Sequence, residues 1–277
     1  MRKSENSVSV IIPTRNRVSR LWGAIKSVID QGPSIRQVII VDDSSSDLTS
    51  ESHELLRHFD SRIEVHRSRC RIGGAAARNL GVTKAKGDLI AFLDDDDIWL
   101  EGKVDKQIAF LNGHDSYGAV LCSELRVNMQ TGHSSVSRPG RVDRRRLIAH
   151  FPCPGTSCLM MRRPLFAMVG GFNPTLRRLQ DWDFYLRLCA ITELGVIREP
   201  LTLYVDHIGE QISKSREALY PSYRRIFFNI RASLDPGELS HFRLFLIAQR
   251  SIGHYSRFKQ ISLKLKIKLF KFLGSWL

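Results

Sequence analysis

An apolar run at residues 89–93 is followed directly by four consecutive aspartates, residues 94–97, and this junction constrains the fold of the chain more than any other feature. The run predicts a strand buried on both faces, as in a parallel sheet. Neighbouring carboxylates raise one another's pKa, so crowding them at a strand end is unfavourable unless something neutralises them. A hard divalent cation such as Mg2+ or Mn2+ would do so, because it prefers carboxylate oxygen. A solvated acidic turn explains the same run, and the motif alone leaves both interpretations open.

Strand and helix signals alternate through the first hundred residues. Mainly apolar segments predict strands at 8–12 and 38–41 and a short third strand at 63–65, ahead of the strand at 89–93. Helical spacing predicts helices between them, at 18–29, after a turn and N-cap at 44–47, and at 75–85. Repeated β-α-β units imply right-handed crossovers and therefore a doubly wound parallel sheet.

A second acidic pair, Asp42 and Asp43, follows the predicted strand at 38–41 just as residues 94–97 follow theirs. Ligands of doubly wound sheets bind beyond the carboxyl ends of the strands. Because two acidic groups lie at such ends, the sequence favours a binding site there over a solvated turn.

The pattern becomes irregular from about Tyr117. Strands are predicted at 117–122 and 157–161, and the polar stretch at 126–146 between them is predicted to be a long loop. Gly170 and Gly171 mark a tight turn. A helix is predicted at 181–194, with strands near Val196 and Leu203 after it.

Charge and cysteine content narrow the function classes. The formal net charge of +14 predicts an anionic partner: nucleic acid, a phosphorylated substrate or an anionic membrane surface. Five cysteines without CxxC spacing indicate neither a zinc site nor a disulfide framework, and reduced thiols are typical of a cytoplasmic protein. No apolar signal core begins the sequence and no stretch is long enough to span a bilayer, which agrees with a cytoplasmic location.

Six short segments in a fixed order give the chain a family resemblance. They are VSVIIPTRN at 8–16, VDDSSSD at 41–47, AARN at 76–79, the tract at 87–99, GGF at 170–172 and DWD at 181–183. On these segments the chain resembles the family 2 glycosyltransferases from Val8 to about Ser215. The resemblance implies an α/β fold of the glycosyltransferase A type (GT-A), with a Rossmann-like, mostly parallel central sheet flanked by helices.

The same resemblance implies an inverting transferase that moves a sugar from a nucleotide-sugar, UDP- or GDP-linked, to an acceptor hydroxyl. Mn2+ or Mg2+ would lie at Asp96 and Asp94, and His207 is a further candidate ligand that packing alone explains equally well. The implied nucleotide-binding residues are Pro13, Thr14, Arg15, Asp43, Arg78 and Asp95. Asp181 would be the catalytic base, although Gln180 stands before it where the family has a glutamate. Without the resemblance, Asp181 would be interpreted as a favourable charge at a helix start.

The last part of the chain changes character. We predict a nucleotide-sugar-binding half at 1–115, an acceptor-binding and catalytic-base half at 116–215, and a basic helical region at 216–277. Within 258–277, Lys264, Lys268 and Lys271 form a stripe beside a broad apolar arc, as in a helix that lies on an anionic membrane. Such a helix would bring the enzyme to a lipid-linked sugar acceptor, while an ordinary helix docked on the domain explains the pattern nearly as well.

Three other function classes compete with this prediction. A nucleic-acid-binding protein would explain the charge, but four clustered acids and the lack of aromatic stacking motifs disfavour it, so no nucleic-acid partner is expected. A nucleotidyltransferase would show a Gly-rich basic loop after the first strand, where this chain has Pro13-Thr14-Arg15-Asn16. An inactive relative that binds nucleotide without transfer has the change at Gln180 in its favour. The sequence favours a glycosyltransferase of cell-surface polysaccharide or lipopolysaccharide biosynthesis.

Overall fold

The computed structural model describes residues 6–149, 154–206 and 219–253, and in these ranges helices alternate with the strands of a single sheet. The strands are β1 (Val8–Thr14), β2 (Ile35–Asp42), β3 (Ile63–Arg67), β4 (Leu89–Phe92), β5 (Ile98–Trp99), β6 (Tyr117–Asn128), β7 (Ser134–Ser137), β8 (Leu159–Arg162) and β9 (Glu193–Asp206). The α-helices are α1 (Val18–Ile29), α2 (Ser50–Phe59), α3 (Gly74–Lys84), α4 (Lys103–Gly113), α5 (Arg144–Ala149), α6 (Arg163–Val169), α7 (Gln180–Leu188), α8 (Leu219–Ile230) and α9 (Pro236–Gly253).

The sheet has the strand order β3-β2-β1-β4-β8-β6-β9-β5, and β7 pairs with β6 outside this path. Strands β3, β2, β1 and β4 are mutually parallel, as are β6 and β9, and these pairs contain most of the paired residues. Strand β8 lies antiparallel between β4 and β6 and joins the two parallel groups. The predicted α/β fold with a mostly parallel central sheet flanked by helices is therefore confirmed.

Two hydrophobic cores, one on each face, bury the parallel half of the sheet. Along β1, Val10 and Ile12 belong to one core and Ile11 to the other, and all three are fully buried. This burial on both faces explains the continuous apolar runs by which the strands could be predicted. Helix α3 packs closely on β1, and a Cβ added at Gly81 would lie 2.5 Å from Cγ2 of Ile11. Glycine at position 81 therefore sets the distance between helix and sheet.

The second half of the sheet differs from the prediction in two places. Strand β6 continues to Asn128 and forms a hairpin with β7, and α5 begins at Arg144, so the loop predicted at 126–146 is wrong at both ends. Helix α7 ends at Leu188 and not at residue 194. Leu194 pairs instead with β6, whereas Val196 and Leu203 lie in a strand as predicted. At Leu194, strand pairing over a long sequence separation outweighed the local helical spacing.

Helix α2 begins later than predicted. Its N-cap is Thr49, whose side-chain oxygen accepts a hydrogen bond from the backbone N–H of Ser52, so the N-cap predicted within 44–47 is wrong. Those residues form the turn after β2, where the N–H of Ser45 donates to Oδ1 of Asp42 at 2.8 Å. The turn therefore orders the carboxyl end of β2.

The described part of the basic C-terminal region, α8 and α9, packs on the domain. The ring of Trp182 lies edge-on to the rings of Tyr223 and Phe242, each with 5.4 Å between centroids. Arg144 and Glu238 form an ion pair of 2.6 Å between α5 and α9. Among the helices that the structure describes, none is both long and apolar enough to cross a bilayer. The membrane-binding segment predicted at 258–277 and the metal-ligand candidate His207 lie outside the described residues.

Candidate active site

The carboxyl ends of β1, β2 and β4 bring together most of the predicted site residues. Thr14 at the end of β1 is paired in register with Asp42 at the end of β2, and the four aspartates of residues 94–97 follow β4 on the other side of β1. Parallel strands place their carboxyl ends at one edge of a sheet, and that edge is where ligands of such sheets bind. The predicted nucleotide and metal residues therefore share one edge.

Asp95 is the most enclosed of the first three acids. Its carboxylate accepts hydrogen bonds from Oγ1 of Thr14 at 2.7 Å and from a terminal nitrogen of Arg17 at 3.1 Å. The same nitrogen of Arg17 lies 2.8 Å from Oδ2 of Asp96. Burial, and then the neighbouring charge of Asp96, raises the pKa of Asp95 to about 6. Arg17 is not among the residues predicted from the sequence, although four adjacent carboxylates require cations nearby.

Asp94 and Asp97 are hydrogen-bonded to the short 3-10 helix Thr156–Cys158, which precedes β8. The backbone N–H of Asp94 donates to Oγ of Ser157 at 3.1 Å, and that hydroxyl donates to Oδ2 of Asp97 at 2.5 Å. Burial, reinforced by the charge of Asp94, raises the pKa of Asp97 well above its ordinary value. No sequence signal pointed to Ser157, because its position depends on the antiparallel insertion of β8.

Arg78 links the acidic run to the predicted base. Its guanidinium forms an ion pair with Oδ1 of Asp94. It also acts on Asp181 at the start of α7: burial raises the pKa of Asp181, the charge of Arg78 lowers it and the charge of Asp94 raises it. Asp181 accepts a hydrogen bond from the N–H of Trp182 at 2.8 Å and is partly buried. Asp94, Arg78 and Asp181 thus form one electrostatic group, contributed by β4, α3 and α7.

Asp43 is held by backbone donors. Its two oxygens accept hydrogen bonds from the N–H groups of Ile72, at 2.6 Å, and Gly73, at 3.0 Å. Gly73 has a φ of +84°, a conformation that favours glycine and that starts α3 here. The carboxylate is consequently fixed at the end of β2 beside β1.

Pro13 and Arg15 lie next to this position. Pro13 is paired in register with Val41 of β2, and both Pro13 and Arg15 are partly buried. The buried Nε of Arg15 has no hydrogen-bond partner among the residues that the structure describes. The two residues are therefore placed along the same edge as Thr14 and Asp43.

The charge balance of the edge fits a bound divalent cation. Residues 94–97 supply four carboxyl groups, and Arg17 and Arg78 contact them with two guanidinium groups. In the described part of the chain, no group of three or more His, Cys, Asp or Glu side chains is arranged to hold a metal ion. Mg2+-type sites are nevertheless commonly built from one or two carboxylates, with water and substrate phosphates as the remaining ligands. Asp96 and Asp94 suit a site of that kind.

Comparisons with known proteins agree on one family. The family model for "Glycosyl transferase family 2" matches residues 9–169. An uncharacterized glycosyltransferase of Haemophilus influenzae is 27% identical over 205 residues, which cover 72% of this chain and 68% of that protein. The Bacillus subtilis protein named putative teichuronic acid biosynthesis glycosyltransferase TuaG is 38% identical over 104 residues, 38% of this chain and 41% of that protein. The Escherichia coli UDP-Glc:alpha-D-GlcNAc-diphosphoundecaprenol beta-1,3-glucosyltransferase WfgD is also 38% identical, over 38% of this chain and 40% of that protein. With TuaG and WfgD the chain shares only about two fifths of each relative's length.

Solved structures show the same fold. The crystal structure of Staphylococcus aureus TarS 1-349 in complex with UDP-GlcNAc superposes with a TM-score of 0.72 at 22% identity, covering 95% of this chain and 77% of that chain. The structure of GalNAc-T7 with UDP, GalNAc and Mn2+ gives a TM-score of 0.66 at 16% identity, covering 82% of this chain and 48% of that one. The GT-A fold predicted from the sequence is thereby confirmed.

Proposed function

The chain belongs to glycosyl transferase family 2, and from that premise we propose that it transfers a sugar from a nucleotide-diphosphate sugar to an acceptor hydroxyl with inversion at the anomeric carbon. One observation carries the proposal above all. Arg78 pairs with Asp94, which follows β4, and its charge also acts on Asp181 at the start of α7. This link between a candidate metal ligand and the candidate base supports the proposal.

The donor half of the proposal uses the edge formed by β1, β2 and β4. Asp43 would accept a hydrogen bond from the base of the nucleotide, with Pro13, Thr14 and Arg15 lining the same pocket and Asp95 supporting it. Arg78 would approach the diphosphate, since a guanidinium fork matches phosphate oxygens. The UDP-GlcNAc bound to TarS and the UDP-Glc in the name of WfgD favour a UDP-sugar over a GDP-sugar.

Asp96, with Asp94, would hold Mn2+ or Mg2+. The bound cation would supply charge stabilisation for the departing nucleoside diphosphate. The Mn2+ in the GalNAc-T7 structure supports this assignment. The further ligand proposed at His207 lies outside the described residues.

Asp181 would take the proton from the acceptor hydroxyl. Its raised pKa makes its carboxylate a stronger base than an exposed aspartate, which suits this role at neutral pH. Inversion requires this base on the face of the sugar opposite the leaving group.

The acceptor class and the cellular setting follow from relatives. The names of TuaG and WfgD refer to teichuronic acid biosynthesis and to a lipid-linked acceptor, and we extend them to cell-surface polysaccharide or lipopolysaccharide biosynthesis for this chain. A sugar or lipid-linked sugar would be the acceptor. A cytoplasmic location, with peripheral contact to anionic membrane through 258–277, completes the proposal.

Thermal unfolding tests the donor site. The full chain is heated with UDP, GDP, CMP or TDP, each with and without Mn2+, and at about a hundred times its dissociation constant a ligand adds about 2.7 kcal/mol of stability. We expect UDP to raise the melting temperature in a manner that EDTA abolishes. The absence of a shift with all four nucleotides would contradict the assigned donor site.

A base variant tests the chemistry. Asp181→Asn is expected to lower transfer by about 10²- to 10⁴-fold, the range for loss of a general base, and to keep the metal-dependent UDP shift. Asp115→Asn, at an exposed position between α4 and β6, is the matched control and should leave transfer unchanged. Near-normal turnover in Asp181→Asn would remove Asp181 from the base role, and UDP binding without transfer in the wild type would favour an inactive relative.

A further inference from the structure

We infer that Arg126 binds an anionic group, phosphate or carboxylate, on the acceptor. The inference rests on the proposed function and adds the chemical class of the acceptor to it. Arg126 lies on β6, outside the residues assigned above to donor, metal or base. Its guanidinium is held from two sides by Glu124 and Tyr204, and its side chain is 42% exposed.

The two contacts fix the orientation of the guanidinium. Nε of Arg126 forms an ion pair with Oε1 of Glu124, whose carboxylate is buried. The guanidinium carbon lies 5.3 Å from the centroid of the Tyr204 ring, within the range of a cation–π contact. Among the described residues, the two terminal nitrogens of Arg126 have no hydrogen-bond partner. A guanidinium so oriented keeps the paired N–H donors that bind phosphate or carboxylate.

Arg126 also neutralises Glu124, and that role must be separated from ligand binding. The other contacts of Glu124 are long: the N–H of Gly155 at 3.5 Å and the Sγ of Cys158 at 3.8 Å. A buried carboxylate without a partner is unfavourable, so Arg126 stabilises it. Nε alone serves that purpose, because the ion pair uses that one nitrogen. The exposed terminal nitrogens are left for a ligand.

The sheet places Arg126 at the edge where the reaction would occur. Strands β4 and β6 both run antiparallel to β8, and Ala91 and Val120 are each paired with Met160. Residues 94–97 follow Ala91 at the same end of the sheet at which Arg126 follows Val120. Arg126 therefore lies at the ligand edge, on the far side of β8 from the nucleotide strands.

Two neighbours connect this position with the acids and with the base. The N–H of Gly155 lies 3.5 Å from Oε2 of Glu124, and the hydroxyl of the next residue, Thr156, donates to Oδ1 of Asp94 at 3.4 Å. On the other side, the hydroxyl of Tyr185, one helical turn after Asp181, donates to the carbonyl of Gly155 at 3.1 Å. A chain of contacts through Tyr185, Gly155 and Glu124 therefore connects Arg126 with α7, the helix that carries Asp181.

We place the acceptor on this side, because the helix that carries Asp181 contacts Gly155 through Tyr185. Arg78 is already assigned to the diphosphate of the donor, and Arg17 is paired with Asp95 and Asp96 from the loop before α1. Arg126 contacts neither of those groups. Its fixed, exposed charge is therefore best matched by an anion that the acceptor carries.

Titration calorimetry on the full-length protein tests the inference. The donor site is first saturated with UDP and Mn2+, so that an added anion cannot bind there as a diphosphate mimic. Phenyl phosphate and glucuronate are then titrated separately, to distinguish a phosphate from a carboxylate. We expect at least one of the two to bind the wild type and Arg126→Met to weaken that binding at least tenfold, which is about 1.4 kcal/mol. Arg126→Lys, which keeps the charge and loses the planar fork, should fall between them.

The control is Arg198→Met, an exposed arginine of β9 that should leave anion binding unchanged. The UDP and Mn2+ melting shift of Arg126→Met should equal that of the wild type, which also shows that the variant is folded. The inference is overturned if neither anion binds, if Arg126→Met binds them as well as the wild type does, or if it loses UDP binding and so belongs to the donor site. Failure of the wild type to bind any nucleotide would instead refute the proposed function, and the two results are distinguishable.

Discussion

Replacing Arg187 by methionine would leave a carboxylate buried in α7 without its cation. Asp183 is fully buried, and its Oδ2 accepts hydrogen bonds from Nε and a terminal nitrogen of Arg187 at 3.1 and 2.5 Å. The other terminal nitrogen of Arg187 donates to the carbonyls of Val169 and Gly171 at 2.6 and 2.8 Å. One guanidinium thus connects α7 to the Gly170-Gly171 turn, and α7 carries Asp181.

The magnitude follows from the burial of Asp183. Removing one partner of a buried ion pair lowers stability by about 3–5 kcal/mol, since the remaining charge is left uncompensated. The side chain of Arg187 is 23% exposed, so that water can reach part of the vacated position. We therefore expect the free energy of unfolding of Arg187→Met to fall by about 3 kcal/mol at pH 8, the lower end of that range.

The loss should depend on pH, with a sign that the structure determines. Burial raises the pKa of Asp183, and Arg187 lowers it. Without Arg187 the folded-state pKa of Asp183 rises further above its unfolded value of about 3.9. For a carboxyl group with a raised pKa, the destabilisation is complete above the folded pKa and is relieved as the pH falls through it towards the unfolded value. The difference between wild type and variant should consequently shrink on acidification.

Urea unfolding followed by tryptophan fluorescence at pH 8 and pH 5 measures both effects. Combining Asp183→Leu with Arg187→Met removes the buried charge, and this double variant should recover most of the lost stability and show little pH dependence. Arg198→Met, at an exposed position, should stay within about 0.5 kcal/mol of wild type. A loss below about 1 kcal/mol in Arg187→Met at pH 8, or a loss that grows on acidification, would refute the reasoning.

Two further predictions use the packing of α3 and the environment of the base. Gly81→Ala places a Cβ 2.5 Å from Cγ2 of Ile11 and should lower the free energy of unfolding in urea by about 1–3 kcal/mol. In the control, Gly113→Ala, the added Cβ would meet nothing within 4 Å, and stability should not fall. Equal stability of the two variants would contradict the close approach of α3 to β1. In the pH profile of kcat/KM, the apparent pKa on the acidic side should lie above the ordinary aspartate value of about 3.9, because burial raises the pKa of Asp181. In Arg78→Met this apparent pKa should rise further, because the charge of Arg78 lowers the pKa of Asp181. An apparent pKa at or below about 3.9 in the wild type would contradict the base assignment.

The parallel half of the sheet could be predicted because its signals are local. A strand buried on both faces is predominantly apolar, as residues 8–12, 38–41 and 89–93 are; Ser9, the one polar exception, donates a hydrogen bond to Gln37. The acids that follow two of these strands then lie at one edge by the geometry of parallel pairing alone. Those two facts were sufficient to predict where the candidate site would lie.

The remainder depends on contacts between residues far apart in the sequence. Leu194 has helical spacing with α7 and still belongs to β9, because β6 provides a pairing partner there. Ser157 contacts Asp94 and Asp97 only because β8 enters the sheet antiparallel beside β4. Arg17 carries no motif, and its pairing with Asp95 and Asp96 depends on the path of the chain between β1 and α1. Single-sequence reasoning has no access to such pairings.

The position of β8 has a consequence for the newly synthesised chain on the ribosome. Strand β4 and its neighbours emerge early, but the strand that covers the open edge of β4 is made only about seventy residues later, as the spacing of β4 and β8 in the sequence shows. During that interval the N-terminal half presents an apolar, unpaired edge strand, the kind of edge that promotes aggregation. We expect nascent chains released before Leu159 to require chaperone protection, and the entry of β8 to bring the Ser157 hydroxyl within hydrogen-bonding distance of Asp97.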